Sequence, residues 1–213
     1  MKSIWLALII SFLATGSSAQ PDTEDGKDPN RERIGLSGGY AATTSGLDNV
    51  FGGGINLSLH YIQRITHPFA ADFTLGAFYL GSTSRDDITT LRFGPTLSFD
   101  NVAMRVLRFT AAPMIEFEFD ERTDFFISAG GGLYILSLLI DDAFREADVN
   151  TTHFGLNVGG GAIRQLSKNW FVDVSLQVHK FWTSDGDLFF DYSEGDGDPL
   201  FYQVSVGAML RLF

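Results

Sequence analysis

The chain has 213 residues and a formal net charge of −11, with 26 acidic against 15 basic side chains. So acidic a chain repels nucleic acid, and its length leaves room for one domain of ordinary size after a leader. Twenty-three glycines and 20 phenylalanines stand beside no cysteine at all, so the fold does not rely on disulfides.

Residues 1–19 read as a cleavable export signal. Lys2 supplies the positive start, the apolar run from Ile4 to Leu13 follows, and Ser17, Ser18 and Ala19 are the small residues a signal peptidase reads. The run falls short of the roughly 20 residues that a membrane-spanning helix needs. Residues 20–32 are acidic, proline-containing and almost without apolar side chains, which predicts a disordered periplasmic lead-in. From Arg33 to Phe213 the pattern changes to strict alternation, the period of a half-buried strand.

The first strand carries Ile34, Leu36, Gly38 and Tyr40 on one face, the second Ile55, Leu57, Leu59 and Tyr61, and the third Phe69, Phe73, Leu75 and Tyr79. A fourth candidate runs through Leu91, Phe93, Pro95, Leu97 and Phe99, and a fifth through Leu107, Phe109, Ile115, Phe117 and Phe119. Further strands are expected over 124–137, 152–166, 169–182 and 201–213, the last ending on the aromatic Phe213. No helical stretch separates them. Such alternation behind an export signal points to an all-β, transmembrane, antiparallel up-and-down barrel in a bacterial outer membrane, its apolar face towards lipid.

Nine candidates conflict with the even strand number of bacterial single-chain barrels. Short periplasmic turns fit 63–68, 120–123 and 167–168, and long extracellular segments fit 42–52, 81–105, 138–151 and 183–199. The alternation of sides then predicts eight strands, with 89–100 projecting beyond the membrane between the third and fourth; ten strands is the alternative.

Over nearly all of the sequence after the leader the chain resembles the small OmpA-, OmpX- and OmpW-like outer-membrane barrels of Gram-negative cell envelopes, a resemblance carried by Phe125 to Leu136, Phe154 to Phe181, and the terminal strand ending at Phe213. The resemblance implies a porin-like architecture in contact with outer-membrane lipid and lipopolysaccharide, and a monomer. It also implies recognition of the C-terminal strand by the outer-membrane assembly machinery.

Eight strands enclose a space that side chains fill. Asp72, Arg92, Arg108, Glu116, Glu118, Asp173 and Arg211 fall on or near the polar face, with Arg164 out of phase by strict alternation. Charges removed from water persist when paired and hydrogen-bonded, which predicts a ladder of arginine–carboxylate contacts across the lumen.

No catalytic residue is assigned. Asp173, Ser175 and His179 share a face, but six residues of strand put Asp173 and His179 roughly 20 Å apart. Ser58 and His60 form a closer pair, to which another strand could add a carboxylate. No metal or cofactor is expected. The glycine triplets at 130–132 and 159–161 precede no helix and cradle no phosphate.

Residues 183–199 contain Asp185, Asp187, Asp191, Glu194, Asp196 and Asp198 around Phe189, Phe190 and Tyr192. The spacing does not match a calcium-binding EF-hand loop, and the aromatics mark the segment as a candidate partner-binding loop. The functional expectation is a non-enzymatic barrel, structural or binding through its outer loops. A narrow channel for ions or small solutes and a lipid-modifying enzyme are the alternatives.

Overall fold

The computed structural model describes residues 32–44, 51–82, 101–142, 145–182 and 200–212. Eight antiparallel strands follow one another around a closed barrel: β1 (Glu32–Thr44), β2 (Phe51–Thr66), β3 (Phe69–Ser82), β4 (Asn101–Asp120), β5 (Thr123–Asp142), β6 (Arg145–Gln165), β7 (Trp170–Phe181) and β8 (Leu200–Leu212). β1 pairs with β8, from Glu32 opposite Leu212 to Thr44 opposite Leu200, so the sheet has no open side. Closure gives every strand a hydrogen-bonded neighbour on both sides and leaves no free sheet edge, the condition for crossing a membrane with strands.

The sequence alternation sets which face meets lipid. Leu36, Ile55, Leu57, Leu75, Phe109, Ile127, Phe154 and Leu176 are exposed on the outside, so the apolar band of the barrel faces outward. Aromatic residues mark both edges of the band: Tyr40, Tyr79 and Trp182 at one end, Phe69, Phe119 and Trp170 at the other. The connections at the second end are short, at 67–68, 121–122 and 166–169, and the chain enters and leaves the barrel there. This end is periplasmic.

The strand count is eight, not ten. The fourth sequence candidate, 91–99, lies outside the described residues, as do residues 1–31, the acidic segment 183–199 and Phe213. Several strands run past their expected ends: β1 continues to Thr44 and β2 spans Phe51–Thr66, into the expected connections 42–52 and 63–68, and two larger changes follow. β4 begins at Asn101, within the expected outer connection, and β5 and β6 stay in register up to Asp142 opposite Arg145. The stretch expected as an outer loop over 138–151 is therefore largely a hairpin that continues both strands. The consecutive Leu138, Leu139 and Ile140 hide the period-two signal there.

Candidate functional site

Pairing brings one face of every strand to the lumen, which divides into layers. On β3 the inward residues rise from the periplasmic end as Ala70, Asp72, Thr74, Gly76, Phe78 and Leu80, and on β4 the same order runs backwards from Glu116 to Met104. The lowest layer is a charge cluster. Glu116, 1% exposed, accepts hydrogen bonds from both Arg33 and Arg64, the Arg64 Nε donating at 3.0 Å. Arg64 also lies 3.6 Å from Asp124. Beside this cluster Ile62, Ala70, Met114, Phe126, Ile163, Phe171 and Met209 pack as an apolar wall, with the Arg33 and Arg211 guanidiniums over the Phe171 ring at 5.5 and 5.0 Å.

The next layer centres on His60. Its Nε2 is 2.9 Å from Ser37 Oγ, and its Nδ1 is 3.3 Å from both carboxylate oxygens of Asp72. Thr74 donates to Asp72 at 3.2 Å. Because a carboxylate only accepts, Nδ1 carries a proton. Asp173 leans over Gly207 towards Ser37, in space that any side chain at 207 would fill.

Ser37, His60 and Asp72 have the hydrogen-bond order of a nucleophile, base and acid, but two conditions for acyl transfer fail. An oxyanion needs free donors. Here β1 is laddered on both sides throughout this stretch, so its N–H groups serve the sheet. The three side chains are also buried beneath the layers above and below. The arrangement is a buried hydrogen-bonded network that fixes three neighbouring strands.

Above it sits Arg108, fully buried and surrounded by neutral groups. It donates to Gln177 Oε1 at 3.0 Å, Ser58 Oγ at 3.1 Å and His179 Nε2 at 2.7 Å, and its guanidinium lies 5.0 Å from the Phe78 ring centre. Gly76 creates the space: a Cβ there would stand 2.7 Å from Arg108 Nε and 2.8 Å from Ser58 Oγ. Gln203 donates onward to Gln177 at 3.0 Å, and Ser205 to Asn56 at 3.0 Å.

The extracellular half is closed by rings. Phe78, Tyr134, Phe181 and Phe201 are each at most 1% exposed. Phe78 and Phe201 meet edge to face at 4.9 Å, and Phe181 and Phe201 are 5.6 Å apart. His179 stacks on Phe201 at 5.0 Å while Tyr134 Oη lies 3.0 Å from its Nδ1. Ala41, Phe51, Leu80, Met104, Val106 and Leu136 complete this apolar layer.

The expected arginine–carboxylate ladder is thus replaced by one periplasmic-side cluster and three layers without such a bridge. Glu116 joins the cluster, but its partners Arg33 and Arg64 were not singled out in the sequence. Arg108 lies eight residues from Glu116 along β4, roughly 26 Å, too far to share a bridge. Asp72 engages His60, and Arg211 packs on Phe171. Glu118 is not a lumen residue: its side chain is 61% exposed at the periplasmic rim, 4.0 Å from His67. Arg92 lies outside the described residues. Arg164, out of phase by alternation, is buried at the turn end of β6 and donates to Thr123 at 3.1 Å. Ser58, the hydroxyl expected beside His60, serves Arg108, and Ser37 takes its place. His179 and Asp173 lie in separate layers. Among the described residues no group of three His, Cys, Asp or Glu side chains is placed to hold a metal.

Comparison with known proteins gives a fold. No family model and no curated relative matches the chain. Among solved structures, the Neisserial surface protein A is similar at 12% identity over 85% of this chain and 97% of that one, with a TM-score of 0.56. The attachment invasion locus protein Ail of Yersinia pestis, solved with the heparin analogue sucrose octasulfate, is 14% identical over 87% of this chain and all of that one, TM-score 0.54. OprG of Pseudomonas aeruginosa is 11% identical over 86% and 97%, TM-score 0.52. The chain has the fold of the small eight-stranded bacterial outer-membrane barrels.

Proposed function

We propose that this outer-membrane barrel is a non-enzymatic envelope protein, closed along its axis, that acts by binding a partner through its extracellular segments. The observation that supports this reading best is the filled lumen. An aromatic layer, an arginine layer, a histidine–aspartate layer and a charge cluster succeed one another along the axis. The outer wall is committed to lipid, so the surface left for recognition is the extracellular end.

Within that end, residues 183–199 have the most distinctive chemistry. Six carboxylates and no lysine or arginine accompany Phe189, Phe190 and Tyr192. A polyanion of the kind present in the Ail structure is disfavoured by that charge, whereas a cationic or cation-bridged partner gains both long-range attraction and an aromatic anchor. Deleting 186–197 tests the assignment. The shortened barrel is expected to keep heat-modifiable gel mobility and to lose binding to a lysine-rich peptide, measured at low salt with and without Ca²⁺. A shortened barrel that folds and binds the peptide as before removes the loop from the function.

A further inference from the structure

The layer around Arg108 is rich in donors and poor in acceptors. Arg108 is 1% exposed, and every group that accepts from it is neutral: Gln177 Oε1, His179 Nε2 and Ser58 Oγ. Gln177 Oε1 accepts from Gln203 as well. Among the described residues no carboxylate forms an ion pair with Arg108. Asp72 lies four residues from Gly76, about 13 Å along β3, and is engaged by His60. Arg108 Nε makes no hydrogen bond. Neither does Nδ2 of Asn56, which is 4% exposed and stands two residues beyond Ser58 on the same face of β2. Ser58 Oγ accepts from Arg108, which leaves its own proton to be donated.

A guanidinium does not shed its charge by losing a proton, and a charge held out of water persists when it is compensated. The Phe78 ring, 5.0 Å away, and the three neutral acceptors supply part of that compensation. Three donors remain on the β2–β4 side: Arg108 Nε–H, Asn56 Nδ2–H and Ser58 O–H. Gln203 Oε1 on β8 is an acceptor without a donor, so negative charge is disfavoured at that wall and favoured beside β2. Glycine keeps side chains out of the same region, with Gly39 opposite Asn56 and Gly76 opposite Ser58. The aromatic layer above and the His60 network below close the site, which favours a single-atom anion over phosphate or sulfate.

We propose that this layer binds one halide ion, chloride under ordinary conditions, between Arg108, Asn56 and Ser58 as the buried counter-ion of Arg108. The ion is enclosed as the barrel closes and does not cross it. The site is therefore compatible with a lumen that does not conduct, and it is independent of the role of 183–199.

The test is urea unfolding of the full barrel in lipid vesicles, with chloride exchanged for gluconate at constant ionic strength, joined to anomalous scattering from crystals grown in bromide. One site on the folded state predicts that, above half-saturation, each tenfold rise in chloride lowers the unfolding equilibrium constant about tenfold. Bromide is expected in contact with Arg108 Nε and Asn56 Nδ2. Asn56→Asp supplies a carboxylate in the ion's place and is expected to fold and to lose the chloride dependence, while Arg122→Gln at the periplasmic turn keeps it. Heat-modifiable mobility establishes that each variant is folded. The proposal is overturned if wild-type unfolding is the same in chloride and gluconate, the result expected for a water in that place. It is overturned equally if folded Asn56→Asp responds to chloride as the wild type does. Bromide at Arg108 without chloride-linked stability is an adventitious ion only, and that outcome, or a chloride effect with bromide bound elsewhere, also overturns it.

Discussion

Replacing Glu116 by Gln removes the carboxylate on which Arg33 and Arg64 converge, and the two arginines are not equally affected. Arg64 is 16% exposed and keeps Asp124 at 3.6 Å. Arg33 is 4% exposed and loses the carboxylate it touches. Breaking a buried pair by removing one partner costs about 3–5 kcal/mol, because the remaining charge stays out of water. Most of that loss belongs to Arg33. Replacing Arg33→Met alone leaves Glu116 bridged to Arg64 and is expected to cost less, about 1–2 kcal/mol on the scale of a lost charged hydrogen bond. In the double variant the stranded charge is gone, so the two losses fall short of adding by about 2 kcal/mol. Urea unfolding in lipid vesicles, followed by tryptophan fluorescence, measures all four corners of the cycle. Additive losses, or a Glu116→Gln variant within about 0.5 kcal/mol of wild type, would refute the reasoning.

On the outer face, Leu176→Arg places a charge in the lipid band and is expected to cost about 2–4 kcal/mol near mid-membrane; an unchanged urea midpoint would mean that Leu176 does not face hydrocarbon. In the lumen, Gly76→Val should destabilise the barrel by about 1–3 kcal/mol as overpacking drives Arg108 and Ser58 from their positions. The companion Gly38→Val points outward, where a Cβ meets its nearest atom only at 3.5 Å, and equal losses for the two would contradict the inward placement of residue 76.

The lipid-facing half of the fold was legible because one alternation, repeated from Ile34 to Leu212, fixes the faces, while the strand count needed the order of short and long connections as well, since alternation alone offers nine candidates. The lumen was legible only as a list of polar positions. Phe78, Phe181 and Phe201 lie in phase with Asp72, Gln177 and Gln203, so their inward direction was available from parity, yet an aromatic in a barrel strand reads first as a lipid contact. Arg33 and Arg64 sit at strand ends, where the sequence suggests a boundary and a turn. The Ser37, His60 and Asp72 association depends on register between three strands, and a shift of one residue would exchange every face. Ser58 looked the better partner for His60 because it is near in sequence. Across the ladder, Ser37 is nearer in space.

Single-channel recording of the unmodified protein in a planar bilayer tests the closed lumen most directly. With the Phe78, Tyr134, Phe181 and Phe201 layer above Arg108 and the Glu116 cluster below it, the account predicts no steady conductance above the bare membrane at neutral pH. Large, steady, voltage-independent currents from the folded barrel would contradict it, because an open aqueous path cannot coexist with those packed rings.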